Sequence, residues 1–125
     1  METKKRILLV EDTEAILKLT KFRLEKAGFE VITATDGLLA LEAVQNSKPD
    51  IILLDFGLPG IDGIEVTRRL KADERYKAIP IIVFTATIEN LRQLEEFGAE
   101  DGILKPYEAE ELVEKINKHL AERGG

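Results

Sequence analysis

Strand-length apolar runs alternate with helix-length amphipathic segments along the chain, and this alternation restricts the fold more than any other feature. Residues 7–10, 51–54 and 81–84 are apolar throughout, which is typical of strands buried on both faces. Because helical segments separate these runs, the strands are expected to pair in parallel through right-handed crossovers. The sequence therefore predicts an α/β fold in which helices cover both faces of a parallel sheet.

Five strand–helix units are predicted in succession. The strands are predicted over residues 6–10, 30–34, 51–54, 81–84 and 102–104. The helices are predicted over residues 14–26, 37–45, 64–71, 89–96 and 108–121. The first helix is expected to turn four residues toward the core: Ile16, Leu17, Leu24 and Ala27. The fourth helix carries acidic residues near its end, where the helix dipole opposes them, so we expect it to be the most mobile of the five.

Composition narrows the function classes. A chain of 125 residues suits one domain, which we expect to span residues 1–125, with 5–121 structured and 122–125 frayed. The net charge of −6 argues against nucleic acid or a membrane surface as a direct partner. The absence of cysteine excludes disulfides and thiolate metal sites, and the apolar runs are too short for a membrane span or a signal peptide. We therefore expect a cytoplasmic location.

Polar side chains follow four of the predicted strands, at the point where each strand ends. They are Glu11 and Asp12 after the first strand, Asp55 after the third, Thr85 after the fourth and Lys105 after the fifth. Ligand sites of open α/β sheets lie at the carboxyl ends of the strands, so these side chains are expected to share one pocket. Three carboxylates brought together repel one another unless a cation such as Mg²⁺ neutralises them. The cluster predicts a site for a divalent cation and a phosphoryl group.

Each of these residues also has a purely structural interpretation. Asp55 alone could cap its strand in a turn, and acids such as Asp12 are common at helix starts. An acidic helix start does not explain Asp55, whereas a nucleophilic carboxylate that accepts a phosphoryl group explains the whole cluster. Lys105 could then pair with Asp55 at rest and with a phosphate oxygen after reaction, while the Thr85 hydroxyl could donate to the phosphoryl group. The bond before Pro106 is a candidate cis peptide.

These motifs together resemble the receiver domain of two-component response regulators, of the single-domain chemotaxis type. The resemblance is carried by residues 6–12, 50–63, 83–86 and 105–106, which fall in the family's order with near-family spacing. It implies a flavodoxin-like, doubly wound (βα)5 fold with strand order 2-1-3-4-5. It also implies that Asp55 is phosphorylated by a histidine kinase or a histidine phosphotransfer protein, and that a downstream protein target reads the result. Such a domain is not an enzyme beyond catalysing its own phosphorylation and slow dephosphorylation.

The resemblance also implies roles at the predicted site. The implied ligands of Mg²⁺, or of Mn²⁺, are Asp12, Asp55 and the carbonyl of Gly57, with Glu11 acting mostly through water. The groups implied to hold the phosphoryl oxygens are Thr85, Lys105 and the backbone N–H groups of Gly57 and Ala86. In the family, the face of the fourth helix, fifth strand and fifth helix often mediates dimers, so a dimer through that face is one expected assembly.

The sequence departs from the family pattern at three points, and the two major departures lie on the signalling side. Receivers usually carry an aromatic residue three positions before the lysine, and its ring moves inward when the threonine swings toward the phosphate; here Gly102 occupies that position. The segment from Thr85 to Lys105 is also shorter than the family norm, and Tyr107 stands where Phe is commoner. Either the switch is absent or altered while the phosphorylation chemistry is retained, or a neighbouring residue takes over the role of the ring.

The single histidine, His119, is expected to be a solvated residue of the last helix rather than a phosphodonor. The phosphoryl group would then come from another protein or from a small acyl phosphate.

Three alternatives compete with the phosphoacceptor function. A flavodoxin-type FMN module would need Gly, Ser or Thr donors in the first loop, which carries mainly acids. A phosphohydrolase would need an acid two residues after the nucleophile, where Gly57 lies. A receiver-like scaffold, engineered or degenerate, is favoured by Gly102 but not by the intact phosphorylation residues.

Overall fold

Five strands and six helical segments make up the described part of the chain, which comprises residues 4–58 and 60–124 of the computed structural model. The strands are β1 (Arg6–Val10), β2 (Glu30–Ala34), β3 (Ile51–Asp55), β4 (Ile81–Thr85) and β5 (Asp101–Leu104). The helices are α1 (Glu14–Lys26), α2 (Gly37–Ser47), α3 (Gly63–Lys71), α4 (Ile88–Arg92), α5 (Leu94–Phe97) and α6 (Ala109–Gly124). None of these helices is both long enough and apolar enough to cross a membrane.

The strands form a single parallel sheet in the order β2-β1-β3-β4-β5. Every residue of β3 and of β4 is buried, as expected for central strands that are covered on both faces. The register pairs Asp55 with Phe84 and Thr85 with Leu104, so the ends of β3, β4 and β5 lie level at one edge. The predicted doubly wound sheet and its strand order are confirmed.

Successive residues of each strand point to opposite faces of the sheet, so a hydrophobic core lies on each side. The core on the side of α2 and α3 includes Leu8, Val44, Ile52, Val66 and Leu70. The core on the side of α1 and α6 includes Ile7, Leu24, Ile51, Leu112 and Ile116. Each fully buried side chain of this size stabilises the fold by about 2 kcal/mol, more than an exposed ion pair contributes. The two cores therefore hold the strand ends in register.

Side-chain caps fix the starts of the two helices that flank the candidate site. Asp36 Oδ1 accepts a hydrogen bond from the Leu39 N–H at 2.8 Å, and Asp62 Oδ1 accepts one from the Glu65 N–H at 3.0 Å. These bonds satisfy N–H groups that have no partner inside the helix. They set the first turns of α2 and α3 near the carboxyl edge of the sheet.

The predicted fourth helix differs most from the structure. It consists of two short segments, α4 and α5, which meet at Gln93, so the predicted fifth helix is α6. The last helix continues to Gly124, beyond the end predicted at residue 121. Gly125, the last residue of the predicted frayed end, lies outside the described residues.

The predicted inward face of α1 is partly wrong. Ile16 is 43% exposed and Ala27 is also exposed, whereas Thr20 and Leu24 are buried. The buried face runs through the half-buried Leu17 and the buried Thr20 and Leu24, so it includes a polar residue that the apolar pattern passes over, and Ile16 lies at the edge of this face.

Candidate functional site

All five side chains that were predicted to share a site lie at the carboxyl edge of the sheet. They are Glu11 and Asp12 after β1, Asp55 at the end of β3, Thr85 at the end of β4 and Lys105 after β5. These four strands are consecutive neighbours in the sheet, so parallel pairing brings their ends together. Glu11, Asp55 and Thr85 are buried, whereas Asp12 is exposed.

Lys105 makes the shortest ion pair of the site. Its Nζ lies 2.7 Å from Asp55 Oδ2 and 3.6 Å from Glu11 Oε1. Partial burial disfavours the ammonium, but the hydrogen bond with Asp55 and the two nearby carboxylates outweigh it and raise the pKa of Lys105. Lys105 therefore carries a fixed positive charge at neutral pH. The Lys105–Pro106 peptide bond is cis, which confirms that prediction.

Glu11 is only 2% exposed, and one of its carboxylate oxygens lacks a hydrogen bond. Its Oε2 accepts from the Thr13 N–H at 3.0 Å, whereas Oε1 has no hydrogen-bond partner in the described part of the chain. Burial raises the pKa of Glu11, and the charge of Asp55 adds to this effect, which the Thr13 N–H and Lys105 only partly oppose. An unsatisfied buried oxygen costs on the order of 1–3 kcal/mol, so a second cation beside Lys105 would stabilise this site.

The acidic residues of the site suit a hard divalent cation. Glu11, Asp12 and Asp55 each place a carboxylate oxygen within 4.8 Å of the other two. One lysine offsets only part of the charge of three carboxylates, and Glu11 Oε1, which lacks a hydrogen bond, is available as a metal ligand. Because these donors are all carboxylate oxygens, they favour Mg²⁺ or Mn²⁺ over Zn²⁺.

Both oxygens of the Asp55 carboxylate accept hydrogen bonds. Oδ1 accepts from the Gly57 N–H at 2.9 Å, and Oδ2 accepts from Lys105 Nζ at 2.7 Å. The Gly57 N–H, which was predicted to hold a phosphoryl oxygen, is thus engaged by Asp55 itself. The start of α3 lies close to the end of β3: a Cβ on Gly63 would lie 2.8 Å from the Asp55 carbonyl oxygen and from Phe56 Cδ1. Only glycine fits there without displacement of the start of this helix.

The Thr85 hydroxyl oxygen accepts two hydrogen bonds. One comes from the Thr87 N–H at 3.2 Å and the other from Asn90 Nδ2 at 3.0 Å. Ala86, whose N–H was predicted to face the phosphoryl group, is exposed beside them. Sequence reasoning missed Asn90, and its position three residues after the helix cap Thr87 was the feature that could have indicated it.

Leucine side chains cover the strand at the position where the family usually carries an aromatic residue. A Cβ on Gly102 would lie 2.6 Å from Leu91 Cδ2 and 2.6 Å from Leu94 Cδ1. These leucines belong to α4 and α5, so both short helices rest on β5 at a residue that has no side chain. Gly102 thus leaves room for the ends of these two leucine side chains, which would have to shift to accommodate a Cβ.

His119 is buried, which corrects the expectation that it is solvated. It is 8% exposed, and its Nε2 lies 2.9 Å from Asp101 Oδ2, while Lys115 Nζ lies 3.2 Å from Asp101 Oδ1. Partial burial disfavours the Asp101 carboxylate, but the bonds from His119, a backbone N–H and Lys115 outweigh it and lower the pKa of Asp101. The pattern of α6 did not reveal this partner, because Asp101 lies in another element. Asp101 begins β5 and Lys105 follows the end of β5, so His119 lies at the opposite edge of the sheet from the site.

Comparison with known proteins places the chain among response regulators. The family model described as the response regulator receiver domain matches residues 7–117. The phosphate regulon transcriptional regulatory protein PhoB of Pseudomonas aeruginosa is 42% identical over 122 residues, which is 96% of this chain and 53% of PhoB. The chain spans about half the length of the curated relatives it matches.

Solved structures agree with this assignment. A CheY-like receiver domain protein from Methanospirillum hungatei has a TM-score of 0.89 at 32% identity, over 98% of each chain. The receiver domain of a sensor histidine kinase from Pseudomonas aeruginosa, solved with a magnesium ion coordinated in its active site cleft, has a TM-score of 0.88 at 30% identity, over 95% of this chain and 99% of that chain. Because the matched residues include all of the sheet except Arg6 and every residue of the candidate site, this chain belongs to the receiver domain family of two-component response regulators.

Proposed function

We propose that Asp55 accepts a phosphoryl group from the phosphohistidine of a partner protein in a Mg²⁺-dependent reaction. The observation that carries the proposal is the pairing of Asp55 with Lys105 beside two further carboxylates at one sheet edge. Because both of its oxygens are held, the carboxylate is presented in a fixed orientation, which favours attack on phosphorus. A carboxylate oxygen of Asp55 forms the new bond to phosphorus, and the electron pair of the broken N–P bond stays on the donor imidazole.

The residues that would hold the cation, Mg²⁺ or alternatively Mn²⁺, are Glu11, Asp12, Asp55 and the carbonyl of Gly57. When bound, the cation supplies positive charge that offsets these carboxylates and the oxygens of the transferring phosphoryl group. The buried Glu11 Oε1 supports this assignment, since it is already desolvated and has no hydrogen-bond partner in the described part of the chain.

Four groups would hold the phosphoryl oxygens once they arrive: the Lys105 ammonium, the Thr85 hydroxyl and the N–H groups of Gly57 and Ala86. Lys105 loses its anionic partner when the Asp55 carboxylate becomes an acyl phosphate, so its ammonium is free to pair with the new phosphoryl charge. Fixed donors of this kind stabilise charge that develops during transfer.

The proposed partners are a histidine kinase or histidine phosphotransfer protein as donor and a downstream protein as reader. We propose no turnover of an external substrate, because Gly57 stands where a phosphohydrolase would carry an acid. Several curated relatives are named DNA-binding regulators, but this segment carries a net charge of −6, so we propose no direct DNA contact for it. The cytoplasmic location, the single-domain type and a dimer through α4, β5 and α6 stay predictions.

Intact-mass measurement after incubation with acetyl phosphate tests the proposal. We expect one phosphoryl adduct that requires Mg²⁺ and is absent from Asp55→Asn. Asp36→Asn is the matched control, because asparagine also caps helices and Asp36 lies outside the acidic cluster. A folded protein that takes up no phosphoryl group under any condition would instead support the receiver-like scaffold.

A further inference from the structure

The hydrogen bonds at Thr85 determine where its proton can point. A hydroxyl group has two lone pairs and one proton. The Thr87 N–H and Asn90 Nδ2 occupy both lone pairs, at 3.2 and 3.0 Å. The proton must therefore point away from these donors, and no acceptor takes it in the described part of the chain. Thr85 is thus arranged as a hydrogen-bond donor at the carboxyl edge of the sheet, on the strand next to Asp55.

Asn90 is held in place by the short helix that carries it. The Thr87 hydroxyl caps α4 by accepting from the Asn90 N–H at 3.3 Å. One residue further along, Leu91 packs over Gly102 of β5, and Leu94 of α5 packs beside it. No residue of α4 is fully buried, so the helix is held against the sheet by these leucine contacts and by the hydrogen bond from the Asn90 amide. The leucine contacts over Gly102 and the hydrogen bond from the Asn90 side-chain amide to Thr85 therefore position the same helix.

We propose that Asn90 is a positioning residue for phosphorylation of Asp55, acting through Thr85. Its amide fills one lone pair of the Thr85 hydroxyl and so directs the hydroxyl proton toward the phosphoryl oxygens. With acetyl phosphate as donor, Asp55 forms a bond to phosphorus while the bond from phosphorus to the acetate oxygen breaks, and acetate leaves with the electron pair. The Thr85 hydroxyl keeps its proton throughout and only donates a hydrogen bond. This inference rests on the proposed function of Asp55.

Substitution of Asn90 tests this role through the initial rate of phosphorylation by acetyl phosphate at saturating Mg²⁺. Asn90→Ala is expected to slow the reaction about fivefold, the effect of one lost hydrogen bond. Asn90→Asp should slow it further, because a carboxylate would accept the Thr85 proton. Gln93→Ala is the matched control, since it removes an exposed amide from the next turn without a contact to Thr85, and its rate should not change. Circular dichroism and thermal unfolding establish that each variant is folded.

Two further measurements separate positioning from a structural role of Asn90. In a Thr85→Ala background, Asn90→Ala should have no additional effect on the rate, because the group it orients is gone. Beryllofluoride, a tetrahedral stand-in for the phosphoryl group, gives an equilibrium readout: its affinity, followed through amide NMR shifts, should weaken about fivefold in Asn90→Ala.

The outcomes distinguish this inference from the proposed function. One contrary outcome is that the unsubstituted chain is phosphorylated and Asn90→Ala reacts at the same rate. Another is that Asn90→Ala slows the reaction equally in the Thr85→Ala background. Either outcome would show that the proposed role of Asn90 is wrong, whereas the role of Asp55 would stand. If the folded, unsubstituted chain takes up no phosphoryl group, both are wrong.

Discussion

Lys105 Nζ lies 2.7 Å from Asp55 Oδ2, so the cation that follows β5 reaches across β4 to the carboxylate that ends β3. The same ammonium lies 3.6 Å from Glu11 Oε1, on the side where a metal cation would also approach. Lys105 therefore stabilises the resting carboxylates and would at the same time repel a cation bound beside them. Its removal should change metal binding and phosphoryl transfer in opposite directions.

Lys105→Met is expected to tighten Mg²⁺ binding about fivefold, because a like charge is removed from a partly exposed site. The same variant should slow phosphorylation by acetyl phosphate about a hundredfold, because one donor to the transferring group is lost. Isothermal titration with Mg²⁺ and adduct formation rates measure the two effects. Lys115→Met is a matched control, since Lys115 has the same 29% side-chain exposure and also pairs with an aspartate, away from the site. Weaker Mg²⁺ binding in Lys105→Met would contradict the account.

Gly63→Ala is expected to lower the free energy of unfolding by about 1–3 kcal/mol, because its Cβ would overlap the Asp55 carbonyl oxygen and Phe56. Gly57→Ala, in the loop before α3, serves as the comparison, because its Cβ would meet only Asp55 Oδ1, at an ordinary 3.6 Å. The free energy of unfolding of Gly57→Ala should stay within about 0.5 kcal/mol of that of the unsubstituted protein. Urea unfolding of both variants measures the difference. Equal losses of stability in the two variants would show that the close approach of Gly63 to the end of β3 does not explain the effect of Gly63→Ala.

Asp101→Asn is expected to lower stability at neutral pH but not in acid. Bonds from His119 and Lys115 lower the pKa of Asp101 in the folded protein, although partial burial opposes this. The ionised carboxylate thus stabilises the fold above its unfolded pKa of about 3.9, and this contribution is lost as the pH falls through the lower folded value. Urea unfolding should give a deficit of about 1 kcal/mol at pH 7 that shrinks below about pH 4. A deficit of the same size in acid would contradict the assignment.

The segment containing α4 and α5 is expected to exchange its amide hydrogens faster than α6. The two helices have five and four residues, and α4 buries no residue fully. In contrast, α6 buries Leu112 and Ile116 in one of the two cores. Few buried contacts mean a low free energy of local opening. Hydrogen exchange followed by mass spectrometry measures this, and protection in residues 88–97 equal to that of α6 would overturn the prediction.

The sheet and the acidic cluster could be predicted because they depend on local pattern and chain order. The aliphatic run in β3 can only be a buried segment, and the residue that follows such a strand must emerge at its carboxyl edge. Asp55 and Lys105 were placed together by this argument, although they are separated by 50 residues along the chain. Parallel pairing of the strands was sufficient for this prediction, because strands that run in the same direction all end at the same edge of the sheet.

The contacts around α4 and α6 could not be predicted, because they depend on how elements pack. His119 finds its partner in Asp101, which lies 18 residues away at the start of β5, and no helical pattern predicts this contact. Gly102 has no side chain, so the sequence does not say that Leu91 fills the space above it. Asn90 is likewise typical of an exposed helix start, and only the bend after β4 brings its amide to Thr85.

Borohydride reduction followed by peptide mapping locates the phosphoryl group and so tests directly whether Asp55 is the phosphoacceptor. Borohydride converts an acyl phosphate of aspartate to homoserine, so the modified residue is identified among the seven aspartates of the chain. After incubation with acetyl phosphate and Mg²⁺, we expect homoserine at position 55 and at no other aspartate position. Homoserine at a different residue, or none in folded protein, would contradict this expectation.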